Sequence, residues 1–369
     1  MSSPLCEYFG VCGGCLLQDV EYPEQVEGKR LELANAVGLD EVNVFSGPPY
    51  GYRCRMDFAF SENGVGFRRK GTWDSVFRVL ACPISCEGLN RLLIEVNGFF
   101  TEVDFFDIRR QTGCFRYAVI RAPPSDSSVS FVLNRDSPGL ERAHDIIRDF
   151  SSGTSAANVV VTRVPPKTDH SVSDDYSIVK GSDMLREEYL GRRLWYHVQG
   201  FFQNNHEMAE RLHRYCRSIL SGYAGKGFHL LDLFGGVGTF GIINADLFES
   251  VTVVESDRNC IGAARKNAAL NVSDNVSVVE ADAASLSGIV LPEPLVVVAD
   301  PPRGGMHPKT VKALSVLRPE SIIYVSCNIR QLKTDLPGFK GYGIGSVAMF
   351  DFFPQTPHCE SVVELTRKD

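Results

Sequence analysis

No stretch of the 369 residues approaches the roughly 18 apolar positions that span a bilayer, and the amino terminus, MSSPLCEYFG, has neither the basic nor the apolar region of a secretory signal. A cytosolic protein without a membrane partner is therefore expected. Positive charge is not in excess either. Lys and Arg number 38 against 45 Asp and Glu, a net charge of -7, which excludes a uniformly basic nucleic-acid-binding surface while leaving room for a local basic patch. A disulfide framework is excluded on two grounds: the expected compartment is reducing, and the eleven cysteines are odd in number. Metal ligation and nucleophilic chemistry are the better uses for these thiols. What remains is the composition of a globular protein, 44% hydrophobic and 22% charged, long enough for two or three domains.

Three of the cysteines open the chain as C-x5-C-x2-C: Cys6, Cys12 and Cys15, with Gly10, Gly13 and Gly14 between them. Glycines let a backbone wrap tightly, so thiolates on such a loop can converge on one centre. Structural zinc and cubane iron–sulfur clusters both take four ligands, so a later cysteine must return. Cys82 and Cys86 are the candidates. Cys82, followed by Pro83, is preferred, and either metal centre would hold together a segment poor in core residues.

Between residues 45 and 197 the pattern is mostly strand-like, with alternation over Tyr52 to Phe60 and further runs at 114–121, 129–133, 159–164 and 194–198. Helices are expected near Gln25 to Val37, Asn90 to Phe100 and Gly139 to Phe150. Arg53, Arg55, Arg68, Arg69, Lys70, Arg109, Arg110, Arg116 and Arg121 are interleaved with Tyr52, Phe67, Trp73 and Phe115. Cations among exposed aromatics suit unstacked RNA, although a charge run is more commonly a solvated face.

From Phe228 the pattern changes to an apolar strand, a glycine-rich turn and a helix start, Asp232-Leu233-Phe234-Gly235-Gly236-Val237-Gly238-Thr239. This is the first unit of a nucleotide-binding α/β sheet. Glu255 ends the next strand, where a carboxylate can accept bonds from ribose hydroxyls. The turn contains G-x-G-x-x-G, ending at Gly241, so a dinucleotide enzyme must be considered. Its D-x-F-G-G-x-G form is nevertheless typical of adenosylmethionine sites, which have no pyrophosphate to cradle, and this assigns Gly236 and Gly238 to cofactor binding. A third strand ends before Asp282, and a fourth, Leu295 to Ala299, ends at Asp300-Pro301-Pro302-Arg303-Gly304.

The run Ser321 to Val325 reads as a further buried parallel strand, ending in Ser326-Cys327-Asn328. Cys327 therefore stands at a carboxyl edge, where ligands bind in open α/β sheets and where an ionised thiol could act as a nucleophile. The alternative is a buried small hydrophobe. Glu360 opens the last strand as a candidate general base, with His358 as its rival.

Taken together the chain resembles the RNA (uracil-5-)-methyltransferase family along nearly its whole length. The matching elements, in order, are the amino-terminal cysteine loop, Phe202-Gln203-Asn204-Asn205, Asp232 to Gly238, Asp300 to Gly304, Ser326-Cys327-Asn328, and Phe353-Pro354 through His358-Cys359-Glu360. The resemblance implies Cys327 as nucleophile, Glu360 as base, and Gln203, Phe234, Thr239, Glu255 and Asp300 as S-adenosyl-L-methionine positions. It further implies a [4Fe-4S] cluster on Cys6, Cys12, Cys15 and Cys82. The implied fold is α/β: a Rossmann-like class I methyltransferase domain with a mostly parallel twisted sheet (198–369), a mostly antiparallel β RNA-binding domain (45–197, including Cys82), and a metal-cluster segment (1–44). The small β-barrel that some members carry in front is not seen here. The expected partner is a loop uridine of ribosomal or transfer RNA, with the short architecture leaning to large-subunit rRNA, and the expected state is a monomer. Two other readings compete: an RNA-binding or assembly factor that kept the fold without catalysis, and a dehydrogenase using Gly236, Gly238 and Gly241. A methyltransferase acting on an exocyclic amine is a further option, one that needs no Cys327.

Overall fold

In the computed structural model of the protein, which describes residues 3–368, the apolar runs of the carboxyl-terminal half lie side by side in one eight-stranded sheet. In chain order its strands are β1 (Asn43–Phe45), β2 (His229–Leu233), β3 (Ser250–Glu255), β4 (Val276–Glu280), β5 (Leu295–Ala299), β6 (Ser321–Ser326), β7 (Tyr342–Phe350) and β8 (Glu360–Arg367). Their spatial order is β1-β7-β8-β6-β5-β2-β3-β4. Strands β6, β5, β2, β3 and β4 run parallel, whereas β8 is antiparallel to both β6 and β7. The chain runs outward from β2 to β3 and β4, then returns to β5 on the other side of β2. The carboxyl ends of β2 and β5 therefore flank a topological switch point, where such sheets open a crevice. Every residue of β2, β5 and β6 is buried, as a parallel sheet covered on both faces requires.

The chain forms two compact units, each assembled from separated segments. One comprises the chain up to Glu21, Pro48–Glu187 and His197–His206; the other comprises Tyr22–Gly47, Glu188–Tyr196 and Glu207 onward, and contains the sheet just described. The division thus departs from three consecutive segments. Helix Tyr22–Val37 and β1, grouped in sequence with the cysteine loop, belong with the methyltransferase-like sheet. The reason is packing: Leu33 is fully buried in the same core as Leu231, Val297, Ile322 and Tyr324, and β1 extends the sheet edge by pairing with β7.

The other unit is built on a seven-stranded sheet, in the order Val76–Arg78, Gly64–Arg68, Arg55–Ser61, Phe115–Arg121, Ser128–Asn134, Asn158–Val164, Tyr176–Lys180. It is antiparallel except between Ser128–Asn134 and Asn158–Val164. Parallel neighbours need a crossover, and helix Leu140–Gly153 supplies it. Phe60, Phe100, Phe115, Phe131 and Phe150 interlock in its core, with Phe100 and Phe131 centroids 4.7 Å apart. No helix among the described residues is long and apolar enough to cross a membrane.

Within the methyltransferase-like unit, Asn267 is fully buried on helix Arg258–Leu270. Its Oδ1 accepts from the Trp195 amide (2.7 Å), and its Nδ2 donates to the carbonyls of Trp195 (2.9 Å) and Val237 (3.1 Å). Replacing it with Leu strands these main-chain groups, each costing about 1–3 kcal/mol when buried without a partner. Asn267→Leu is therefore expected to lower the urea midpoint of the full chain by an amount equivalent to at least ~2 kcal/mol. An unchanged midpoint would show that these bonds do not hold that segment.

Candidate active site

The first wall of the crevice is the turn after β2. Phe234, Gly236 and Gly238 all have left-handed backbones, φ 63°, 53° and 82°, and the Gly238 amide closes onto the Gly235 carbonyl at 2.8 Å. A Cβ on Gly235 would lie 2.5 Å from Val253 Cγ1, and one on Gly241 would lie 2.9 Å from Val253 Cγ2, so the turn and its helix reach the sheet only as glycine. A Cβ on Gly236 would meet nothing within 4 Å, which leaves that backbone open to a ligand. Glu255, at the end of β3, fastens the turn. Its Oε2 accepts from the Gly236 amide (2.9 Å), and its Oε1 accepts from the Ser256 and Asp257 amides (2.7 and 2.8 Å). Asp232 lies beneath, buried. One oxygen accepts from the Gly241 amide at 2.8 Å, while Oδ1 is buried without a partner among the described residues. Burial, with the nearby Glu255 charge adding, pushes the Asp232 carboxyl up to about 7. Thr239 begins the short helix Thr239–Ile243.

The second wall is where β5 and β6 end side by side, since Ala299 pairs with Tyr324. Asp300 follows β5, its amide held by the Leu233 carbonyl. Among the described residues nothing donates to its carboxyl, and burial, then the Asp232 charge, pushes it up to about 7. Cys327 follows β6 and is half-buried. The turn carrying it is tied to the Asp300 loop by Asn328. Its Nδ2 donates to the Arg303 carbonyl at 3.0 Å, and its Oδ1 caps helix Ile329–Asp335.

Strand β8 brings the third group. It returns antiparallel beside β6 with Ser361 opposite Ser326, so Glu360 falls level with Cys327. Ser361 Oγ donates to the Ser326 carbonyl at 3.0 Å and fixes that register. Glu360 is buried, and burial, with Asp300 adding, raises its carboxyl well above the ordinary carboxylate range. Burial, then Glu360, then Asp300 push the Cys327 thiol up to about 11. The three groups thus sense one another, and an entering cation would favour the ionised form of each. His358, the rival base, is exposed on the preceding loop.

Gln203 lies in the other unit. Its segment is held by the bond from the Cys54 amide to the Asn204 carbonyl (2.8 Å) and by the bridge between Arg53 and Asn205. In that unit Cys6, Cys12, Cys15 and Cys82 all line one cavity of about 530 Å³. Burial raises each of their thiols, and neighbouring thiols of the same four add to the effect. Cys86 does not line this cavity; it meets Cys54 instead. As the side chains lie, no three Cys, His, Asp or Glu among the described residues are drawn together tightly enough to hold a metal ion.

The basic and aromatic set of the same unit is largely committed within the protein. Arg116 is buried, stacked 4.0 Å over Phe106 and bonded to the Pro166 carbonyl at 3.1 Å. Arg121 is buried and bonded to the Gly200 carbonyl at 2.6 Å, and Phe115 and Tyr52 are core residues. Arg68 grips Asp169 with two bonds and Arg109 pairs with Asp74. Both lie on Phe115–Arg121, a strand buried along most of its length, Arg116 at the register break between Phe115 and Tyr117, which a charge run read without its sheet cannot show. Arg69, Lys70 and Trp73 remain exposed.

Sequence reasoning passed over Lys29 and Asp351, a fully enclosed ion pair at 2.6 Å within the methyltransferase-like unit. The one available signal was the spacing of Tyr22, Gln25 and Lys29, a polar stripe on one helix face.

Because Glu360 and Asp300 oppose ionisation of the thiol, removing either charge favours thiolate. Alkylation of Cys327 by iodoacetamide, followed by peptide mass spectrometry, is expected to rise with pH beyond neutrality toward 11. Asp300→Asn is expected to move that rise to lower pH. A profile unaffected by this substitution would show that Asp300 does not act on the sulfur.

The family model described as tRNA (Uracil-5-)-methyltransferase matches residues 173–368. A tRNA (uracil(54)-C(5))-methyltransferase of Pyrococcus furiosus is 31% identical over 99% of this chain and 87% of its own length. A Clostridium tetani protein named as an uncharacterized RNA methyltransferase is 32% identical over 99% of this chain and 84% of its own. The crystal structure of Pyrococcus abyssi tRNA (uracil-54, C5)-methyltransferase with S-adenosyl-L-homocysteine superposes with a TM-score of 0.81 at 29% identity, covering 96% of this chain and 86% of that one. By the extent of these matches, the chain belongs to the tRNA (uracil-5-)-methyltransferase family.

Proposed function

We propose that the protein methylates carbon 5 of a uridine in tRNA, at a position equivalent to uracil-54 of the Pyrococcus enzymes, with Cys327 as nucleophile and Glu360 as general base. The observation that carries this reading is the register of β6 and β8, which sets a buried carboxyl beside a thiol at the sheet's carboxyl edge. Transfer RNA is favoured over ribosomal RNA, toward which the short architecture leaned, because the relatives whose names give a target act on tRNA.

Carbon 5 of uracil is too weak a nucleophile unaided. The Cys327 thiolate adds to carbon 6, forming a carbon–sulfur bond and moving the C5=C6 pair toward O4 as an enolate. Adenosylmethionine, when bound, supplies the electrophilic methyl group, and carbon 5 takes it as the donor's sulfur keeps the bond's electrons. Glu360 then removes the carbon-5 proton; the freed pair rebuilds C5=C6 and expels the thiolate. A raised pKa suits Glu360 to this role, since its carboxylate accepts a proton more strongly than an ordinary one. The turn of Phe234, Gly236, Gly238 and Thr239 would hold the donor through its open backbone at Gly236, together with Glu255 and Asp300. A bound sulfonium would add to the positive charge of Arg303 and favour the Cys327 thiolate.

We propose that the cavity lined by Cys6, Cys12, Cys15 and Cys82 holds a [4Fe-4S] cluster, the four thiols that share it making up a complete ligand set. The cluster is assigned no part in the reaction.

Two outcomes follow from these assignments. Cys327→Ser should reduce methyl transfer to tRNA to background while calorimetry still records adenosylmethionine binding; retained turnover would remove the covalent mechanism. Protein prepared without air should contain iron and acid-labile sulfide that Cys82→Ala loses and Cys86→Ala keeps, and the opposite pattern would make Cys86 the fourth ligand.

A further inference from the structure

Glu360 is delivered by the connection between β7 and β8, residues 351–359, which is held from outside as well as by its own turn from Phe353 to Thr356. Asp351, its first residue, is fully buried. Lys29 Nζ donates to Asp351 Oδ1 at 2.6 Å and to the Phe353 carbonyl at 3.2 Å. The Tyr22 hydroxyl donates to the other Asp351 oxygen at 2.8 Å. Four residues on from Asp351, Gln25 and Gln355 bond reciprocally: Gln25 Nε2 to Gln355 Oε1, and the Gln355 amide to Gln25 Oε1, each at 3.0 Å. Gln355 has φ 69°, a left-handed backbone that a non-glycine residue keeps only when its surroundings impose it. Tyr22, Gln25 and Lys29 follow helical spacing, so a single face of helix Tyr22–Val37 makes all these contacts.

A helix that served only to cover the sheet would present an apolar stripe there. This one buries an ammonium and a primary amide, and a buried ion pair is a poor source of stability because desolvation of both charges opposes their attraction. What such a pair provides is position: an isolated charge at either site is costly, so the loop is confined to the arrangement in which both are matched. A general base must lie within hydrogen-bond reach of the proton it takes, and Glu360 immediately follows the clamped segment.

We propose that Lys29, through Asp351, is a positioning residue that fixes Glu360 for removal of the carbon-5 proton. The inference rests on the reading of Glu360 as base. It makes a specific demand on timing. Addition of Cys327 and methyl transfer precede proton removal, so disturbing the clamp should leave those steps working and stall release. Methylated RNA would then remain bonded to Cys327.

The test compares three full-length proteins, the parent, Glu360→Gln and the triple variant Tyr22→Phe/Lys29→Met/Asp351→Leu, incubated with tRNA and methyl-labelled adenosylmethionine. The readouts are thermal midpoint, kcat, KM for tRNA, and labelled RNA–protein complex surviving denaturation. The triple variant replaces the matched polar groups with apolar ones, so it avoids stranding a charge and should keep its midpoint. The expected result is a kcat at least ~10-fold lower, since misplacement of a catalytic group by about 1 Å costs up to ~10²-fold. KM should change little, and labelled complex should accumulate as it does in Glu360→Gln. Accumulation in Glu360→Gln with parental turnover in the triple variant would overturn the role of Lys29 alone. So would a folded triple variant that forms no complex, since its defect would then lie before methyl transfer. Failure of Glu360→Gln itself to accumulate complex would overturn the base assignment and this inference with it. If the triple variant does not fold, Lys29→Gln/Asp351→Asn, which removes the charges but keeps hydrogen-bonding groups in similar volumes, is read by the same outcomes.

Discussion

The site depends on a thiol and three carboxyls sharing a poorly solvated edge of one sheet. Parallel β5 and β6 set Asp300 and Cys327 at neighbouring ends, antiparallel β8 returns Glu360 beside them, and Asp232 lies under the adjoining turn. Burial works against negative charge on each, and each negative charge works against the next. The pocket therefore resists negative charge and gains from a positive ligand. In the proposed reaction the methyl donor is that ligand, so the group that brings the methyl also shifts the nucleophile and the base toward their working states. A site with a constitutively ionised thiolate would be exposed to alkylation and oxidation between turnovers.

Holding these groups in place draws on parts of the chain remote in sequence. Asn328 couples the Cys327 turn to the Arg303 loop, and Ser361 fixes the strand register. Helix Tyr22–Val37 clamps the connection that leads to Glu360. Gly235 and Gly241 matter for a different reason: any side chain there would collide with Val253, so the donor turn takes its place only through their lack of one.

How far the sequence revealed this varies with the kind of information needed. The apolar runs His229–Leu233, Leu295–Ala299 and Ser321–Ser326 end abruptly in small or acidic residues, so Asp300 and Cys327 could be placed on adjacent strand ends from pattern alone. The strand Tyr342–Phe350 was not legible, because Gly343 and Gly345 break the alternation that marks a strand. The three-residue β1 is too short to have a period. Lys29 and Asp351 lie 322 positions apart, and a buried charge cannot be told from a solvated one until its partner is known. For the same reason Arg116 and Arg121, counted in a charge run that suits RNA or, more commonly, a solvated face, prove to be internal. The split of the chain into interleaved units was hidden because helix Tyr22–Val37 carries nothing in its own composition that says which core Leu33 joins.

The central claim is a transient bond between the Cys327 sulfur and carbon 6 of uracil, and a substrate that cannot release the enzyme tests it most directly. With 5-fluorouridine in place of uridine there is no carbon-5 proton for Glu360 to remove. Incubating the protein with tRNA so substituted and with adenosylmethionine, followed by nuclease and protease digestion and mass spectrometry, should give a single modified peptide. That peptide should carry a methylated fluorouridine on Cys327. Attachment to a different cysteine, or complete turnover without any attached nucleotide under conditions that methylate ordinary tRNA, would contradict it.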